Sequence, residues 1–130
     1  TDSSAASDVY KRQALNNSLN REKVEWETRK SLGVVMASGG YPGNYSNNHP
    51  ILGLEDISSN YGHKIFHGGT KFADNRLVTN GGRVLCVTAL GDSLEDAKTS
   101  AYELVSKISW ENVQYRTDIG WRAIEKNRKI

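Results

Sequence analysis

Three glycine pairs carry the clearest chemical signal in the sequence: Gly39-Gly40, Gly68-Gly69 and Gly81-Gly82. Each falls where a strand is predicted to end or begin. Glycine backbone enters positive φ readily and lets another group come close. Successive N–H groups in such turns can form a concavity that binds anions. Two of the pairs run straight into a cation, in Gly68-Gly69-Thr70-Lys71 and in Gly81-Gly82-Arg83, and Asn80 adds an amide. Backbone donors, a hydroxyl, an ammonium and a guanidinium are the groups that a phosphate or carboxylate needs. The same pairs also read as plain hairpin and bulge glycines. None has the spacing of a P-loop, and none opens a helix as GxGxxG does.

Other chemistry-bearing residues are fewer. His67 precedes one glycine pair and could orient a substrate or donate a proton; as a strand-end histidine it also reads as making one structural hydrogen bond. His49 and His63 have no better claim. Cys86 lies inside an apolar run and reads as a small buried hydrophobe. Arg116, Asp118 and Arg122 surround Ile119-Gly120-Trp121, where an Arg–Asp pair fixes a turn or an arginine faces an anion. Trp26, Trp110 and Trp121 read as packing anchors. The turn Tyr41-Pro42-Gly43 either lines a cleft or is only a turn. No Ser-His-Asp set, carboxylate pair or metal cluster can be assigned, so no catalytic residue and no metal ligand is named. The pattern is that of a part that holds an anion rather than one that carries a whole reaction.

The elements that must position these groups are modest. With 130 residues the chain has the length of one domain or a piece of a larger one. A net charge of +2 without a basic block argues against a nucleic-acid binder. No apolar run approaches the roughly 20 residues of a bilayer span. The single cysteine rules out an internal disulfide and fits a reducing compartment, with the cytoplasm as default. Residues 1–13, TDSSAASDVYKRQ, have neither strand nor helix periodicity and read as a foreign or adaptor-derived segment. That start, and Met36 as the only methionine, suggest a fragment of a longer product.

Ala14–Thr28 can form a helix carrying Leu15, Leu19 and Trp26 on one face. Leu32–Ala37 reads as a buried strand, and residues 38–49 as a long loop. Ile51–Leu54 is a short extended segment and His63–His67 a strand. Lys71–Ala73 and Arg76–Thr79 form a hairpin, because Asp74-Asn75 tolerates the left-handed conformation its turn demands. Arg83–Leu90 is predicted to be central, with both faces covered. Ser93–Ile108 is predicted as the main helix, its apolar stripe running from Leu94 through Ala97, Ala101, Leu104 and Val105 to Ile108, with a capping box from Asp92 to Glu95. Trp110–Tyr115 returns as a strand, and Ile119–Glu125 is a turn or short helix. The fold class is α+β: a small, mostly antiparallel sheet or partial barrel with one main packed helix, plus the N-terminal helix.

Four segments, ASGGYPGNY (37–45), IFHGGTK (65–71), VTNGGRVLCVTALGDSLEDA (78–97) and YRTDIGWRA (115–123), resemble the C-terminal domain of the phosphoribosylamine–glycine ligases, a family within the ATP-grasp ligases. The likeness covers roughly residues 14–125 in order. It implies that residues 14–30 end the ATP-grasp domain and that 31–130 form the C-terminal domain, a rudimentary relative of the barrel-sandwich module. It implies a parent that uses ATP and Mg²⁺ (or Mn²⁺) to join glycine to 5-phosphoribosylamine. The glycine carboxylate attacks the γ-phosphate of ATP, releasing ADP; the amine then displaces phosphate from the acyl phosphate. The nucleotide clamp and metal carboxylates of the family lie in upstream ATP-grasp domains, so neither ATP nor metal is expected to bind this chain tightly, and the piece alone is expected to be inactive. Carried over by position, the substrate-facing residues are Thr70, Lys71, Asn80, Gly81, Gly82 and Arg83, with Ser38, Gly39 and Gly40 lining the same cleft. Lys71 and Arg83 are expected to hold the 5-phosphate. The alternative is a stand-alone module that binds a phosphorylated metabolite without catalysis.

Overall fold

The computed structural model of the chain describes residues 11–12, 14–16 and 25–129. In chain order the elements are β1 (Lys30–Ala37), β2 (His63–His67), β3 (Thr70–Ala73), β4 (Arg76–Thr79), β5 (Arg83–Gly91), α1 (Leu94–Lys107), β6 (Gln114–Tyr115) and α2 (Trp121–Arg128). The architecture is α+β. One antiparallel sheet has the order β2-β5-β1-β6, and β3 pairs with β4 as a separate hairpin.

Alternation decides which face of the large sheet is buried. Leu32, Val34 and Met36 of β1 lie opposite Ala89, Val87 and Leu85 of β5, and all six are buried. Helix α1 covers this face with Ala97, Ala101, Leu104 and Val105, the stripe expected from its spacing. Each fully buried valine or leucine contributes about 1.5–3 kcal/mol through removal from water. The capping box stands one residue later than the sequence reading placed it. Ser93, not Asp92, is the N-cap: its Oγ accepts from the Asp96 N–H at 3.1 Å, and the Ser93 N–H donates to Asp96 Oδ2 at 3.1 Å. Asp92 and Ser93 both have an acidic residue three positions on, and the hydroxyl wins by also donating to Asp96 Oδ2 at 2.6 Å.

The opposite face of the sheet is open, which corrects the expectation that β5 is covered on both sides. Val35 is 43% and Phe66 48% exposed there. Cys86, paired with Val35 and Phe66, is half-buried on that face rather than part of the core. Trp110 is a buried anchor, whereas Trp121 is half exposed and Trp26 is 86% exposed. Most of the expected helix over 14–28 lies outside the described residues; within it Ala14 and Leu15 are helical and residues 25–28 are not. The return strand after Trp110 shrinks to Gln114–Tyr115, and α2 runs three residues past Glu125.

The hairpin turn Asp74-Asn75 has φ of 49° and 58°, the left-handed pair that a two-residue hairpin requires. A passing segment lengthens this small sheet: Asn48 N–H donates to Thr79 O at 2.8 Å and Ile51 N–H to Leu77 O at 2.9 Å. Further on, Leu52 exchanges backbone hydrogen bonds with Ser109 at 2.9 and 3.1 Å.

Candidate functional site

The three glycine pairs converge. Gly68 and Gly69, between β2 and β3, both donate to Val84 O, at 2.9 and 3.1 Å. Asn80 N–H donates to Gly69 O at 2.8 Å. From the end of β1, Ser38 N–H donates to Gly82 O and Ser38 Oγ to Gly81 O, both at 2.8 Å. Turns far apart in sequence therefore meet at one end of the large sheet. Their glycines serve close approach of chains: a Cβ on Gly69 would stand 2.9 Å from Gly81 Cα, and one on Gly82 would stand 2.0 Å from the Tyr41 ring. The amides of Gly68 and Gly69 are spent on Val84, so that pair is no anion nest.

Arg83 owes its direction to an irregularity. The register of β1 on β5 shifts between Met36 and Ala37: Met36 faces Leu85, whereas Ala37 faces Arg83. The extra residue is Val84, and it is buried along with Leu85. Strict alternation back from Leu85 would point Arg83 into the core. The bulge turns it outward instead. Ala37 also pairs with Gln114 of β6, so Arg83, Ala37 and Gln114 form one row across three strands.

Above this row is a cavity of about 480 Å³ lined by Val35, Ala37, Tyr41, Arg83, Gln114, Tyr115 and Arg116. Gln114 Nε2 donates to Tyr41 O at 2.7 Å and so fixes one wall. Arg116 is held by Asp118 through Nε–Oδ1 at 2.9 Å and Nη2–Oδ2 at 2.7 Å. The hydrogen bond to Asp118 raises the pKa of Arg116, and the same bond lowers that of Asp118. Tyr102 of α1 donates from its hydroxyl to Arg116 O at 2.6 Å and accepts from Ile119 N–H at 3.2 Å.

Of the residues expected to face substrate, Arg83 lines this cavity. Ser38, Gly39, Gly40, Asn80, Gly81 and Gly82 belong to the turns at its end. Gly82 is covered by the Tyr41 ring, and a Cβ on Gly39 would stand 2.5 Å from Asn112 O. Thr70 starts β3 and bonds His67 Nδ1 at 3.1 Å, which is the structural role for that histidine. Lys71 is exposed on β3 opposite Val78 and is not among the lining residues of the cavity. Val35, Gln114 and Tyr115 were not singled out from sequence. No motif marks them, because only the pairing of β6 with β1 brings them to Arg83. Among the described residues, no group of three His, Cys, Asp or Glu side chains is placed to hold a metal ion, and no helix is long and apolar enough to cross a membrane.

Residues 31–122 match the family described as Phosphoribosylglycinamide synthetase, C domain. The chain is 50% identical over 115 residues to the phosphoribosylamine–glycine ligase of Pseudomonas syringae, and 51% identical over 118 residues to that of Escherichia coli K12; each alignment covers 88% of this chain and 26% or 27% of the relative. A solved phosphoribosylamine–glycine ligase from Thermotoga maritima has the same fold over 82% of the chain, with 32% identity and a TM-score of 0.64, and the match spans 26% of that protein. The chain thus spans about a quarter of the length of the curated relatives it matches. A family match over residues 31–122 places the chain: it belongs to the C-domain family of the phosphoribosylglycinamide synthetases.

Proposed function

We propose that this chain supplies one wall of the substrate cleft in a phosphoribosylamine–glycine ligase, the ATP-dependent enzyme that joins glycine to 5-phosphoribosylamine. In this reading Arg83 meets the 5-phosphate, and the turns at 38–40 and 80–82 border the sugar. Thr70 and Lys71 stand on the neighbouring hairpin. The observation that carries the reading is the bulge that turns Arg83 out of the core into a cavity floored by Val35 and Ala37. An exposed guanidinium that faces an open cavity can hold a phosphate by charge-assisted hydrogen bonds. The β2-β5-β1-β6 sheet joined through glycine turns to the hairpin also supports a rudimentary barrel-sandwich arrangement.

ATP and its divalent cation would be supplied with ligands elsewhere in the parent. The described residues bring together no carboxylate cluster that fits the metal, so no step is assigned to it here. What the chain contributes is orientation of one reactant and neutralisation of its charge.

A graft tests the reading. Residues 31–122 replace the matching segment of the Escherichia coli ligase, and ADP release is followed with glycine and phosphoribosylamine. Turnover is expected. Arg83→Met in the graft should raise KM for phosphoribosylamine about tenfold with little change in kcat. A graft that folds, judged by its melting curve, yet releases no ADP refutes the reading.

A further inference from the structure

We propose that Arg116 is the second cation of the phosphate site, closing on the 5-phosphate opposite Arg83, and that Asp118 is the positioning residue that aims it. The inference rests on the assignment of Arg83 above.

Arg83 and Arg116 line the same cavity, whereas Lys71 does not line it. A phosphate dianion has three acceptor oxygens and nearly two negative charges, so it can take bidentate hydrogen bonds from one guanidinium and still accept from a second cation. Arg116 is well placed to be the second. Its backbone carbonyl is tied to α1 through the Tyr102 hydroxyl at 2.6 Å, and that hydroxyl also takes the Ile119 N–H. Its side chain is gripped along one edge by Asp118, through Nε and Nη2. That grip leaves Nη1 clear of Asp118 and restrains a long, exposed side chain, which lowers the entropy lost when a ligand arrives. The remainder of the cavity suits a sugar: Val35 and Ala37 form an apolar floor, and Tyr41 and Tyr115 offer ring faces and hydroxyls. A phosphorylated ribose therefore fits both the charged mouth and the body of the pocket.

The test uses this chain with ribose 5-phosphate as probe, by calorimetric titration and by the side-chain Nε–H resonances of the arginines. Saturable binding is expected, with the Arg83 and Arg116 resonances moving together. Arg83→Met and Arg116→Met should each weaken binding about tenfold. Lys71→Met should leave it within about twofold. Asp118→Asn should shift the Arg116 resonance in the free protein and weaken binding about threefold, and Asp118→Glu should restore most of the loss. If Arg116→Met melts early, Arg116→Lys serves in its place, since it keeps the charge but not the fork, and should still lose affinity.

No saturable binding by the unsubstituted chain overturns the assignment. So does normal affinity in a well-folded Arg116→Met variant, or a loss seen for Lys71→Met and not for Arg116→Met. The grafted ligase separates the two readings. A working graft whose KM for phosphoribosylamine ignores Arg116→Met removes Arg116 and spares the function. An inactive graft beside Arg116-dependent binding of ribose 5-phosphate does the reverse.

Discussion

Substituting Gly69 by alanine isolates what the glycine pairs are for. Gly69 has an ordinary φ, so an added methyl group brings no backbone strain of its own. The cost is steric. The new Cβ would lie 2.9 Å from Arg83 O, 2.9 Å from Gly81 Cα and 3.1 Å from Asn80 O. All three are backbone atoms, and the chain that carries them is anchored: Asn80 by its bond to Gly69 itself, Gly81 by Ser38, and Arg83 by pairing with Ala37. No side chain can rotate away, so two turns must part by several tenths of an ångström. Overpacking against such a wall costs typically about 1–3 kcal/mol. In a domain of about 100 residues, 2 kcal/mol lowers Tm by roughly 10 °C. Gly62→Ala is the control, because a Cβ there meets only Asn60 Oδ1 at 3.1 Å, the tip of a side chain. It should change stability by less than about 0.5 kcal/mol. Thermal and urea unfolding followed by circular dichroism give both values. If the two variants unfold at the same midpoint, Gly69 is not held by close chain contact and the account of the junction fails.

Two further outcomes are expected. Ser93→Ala removes a hydroxyl that both accepts from and donates to Asp96, so urea unfolding should report a loss of about 1 kcal/mol, with faster amide exchange in the first turn of α1. Asp118 should titrate below the 3.8 of an ordinary aspartate, because the Arg116 hydrogen bond favours its charged form. The stability that comes with a depressed folded value is present above the ordinary value and is lost as pH falls through the folded one. Arg116→Met should therefore move the carboxyl ¹³C midpoint of Asp118 upward; an unmoved midpoint would remove the ion pair from solution.

The parts of this molecule that were legible from sequence are those ruled by local chemistry. Asp74-Asn75 marks its hairpin because few other pairs accept two left-handed residues in a row. The stripe from Leu94 to Ile108 marks α1 because helical spacing fixes one face. The cap was misplaced by one residue because Asp92 and Ser93 satisfy the same spacing rule, and only geometry separates them. The open face of the large sheet was misread for a different reason. Val84 and Leu85 look like two covered faces in a one-dimensional reading, whereas the bulge puts both side chains on the same side. The convergence of the glycine turns was suspected from their composition. The cavity wall at Gln114 and Tyr115 was not, because a two-residue polar strand has no periodicity, and its place is set by pairing with Met36 and Ala37; Arg116 was read as a turn or anion residue, but nothing in its spacing put it beside Arg83.

The bulge at Val84 also sets a limit on how the chain can change its length. Loops such as 44–47 can gain or lose a codon without disturbing any paired strand. A one-codon deletion in β5 at Val84 would leave Met36 opposite Leu85 and Ala37 opposite Arg83, now in unbroken alternation, so Arg83 would keep its outward side. What it would lose is the fully buried Val84 side chain, leaving a void among the core residues without turning the guanidinium inward. One extra residue of chain length thus adds a buried side chain to the interior while the recognition side of the strand keeps its arginine.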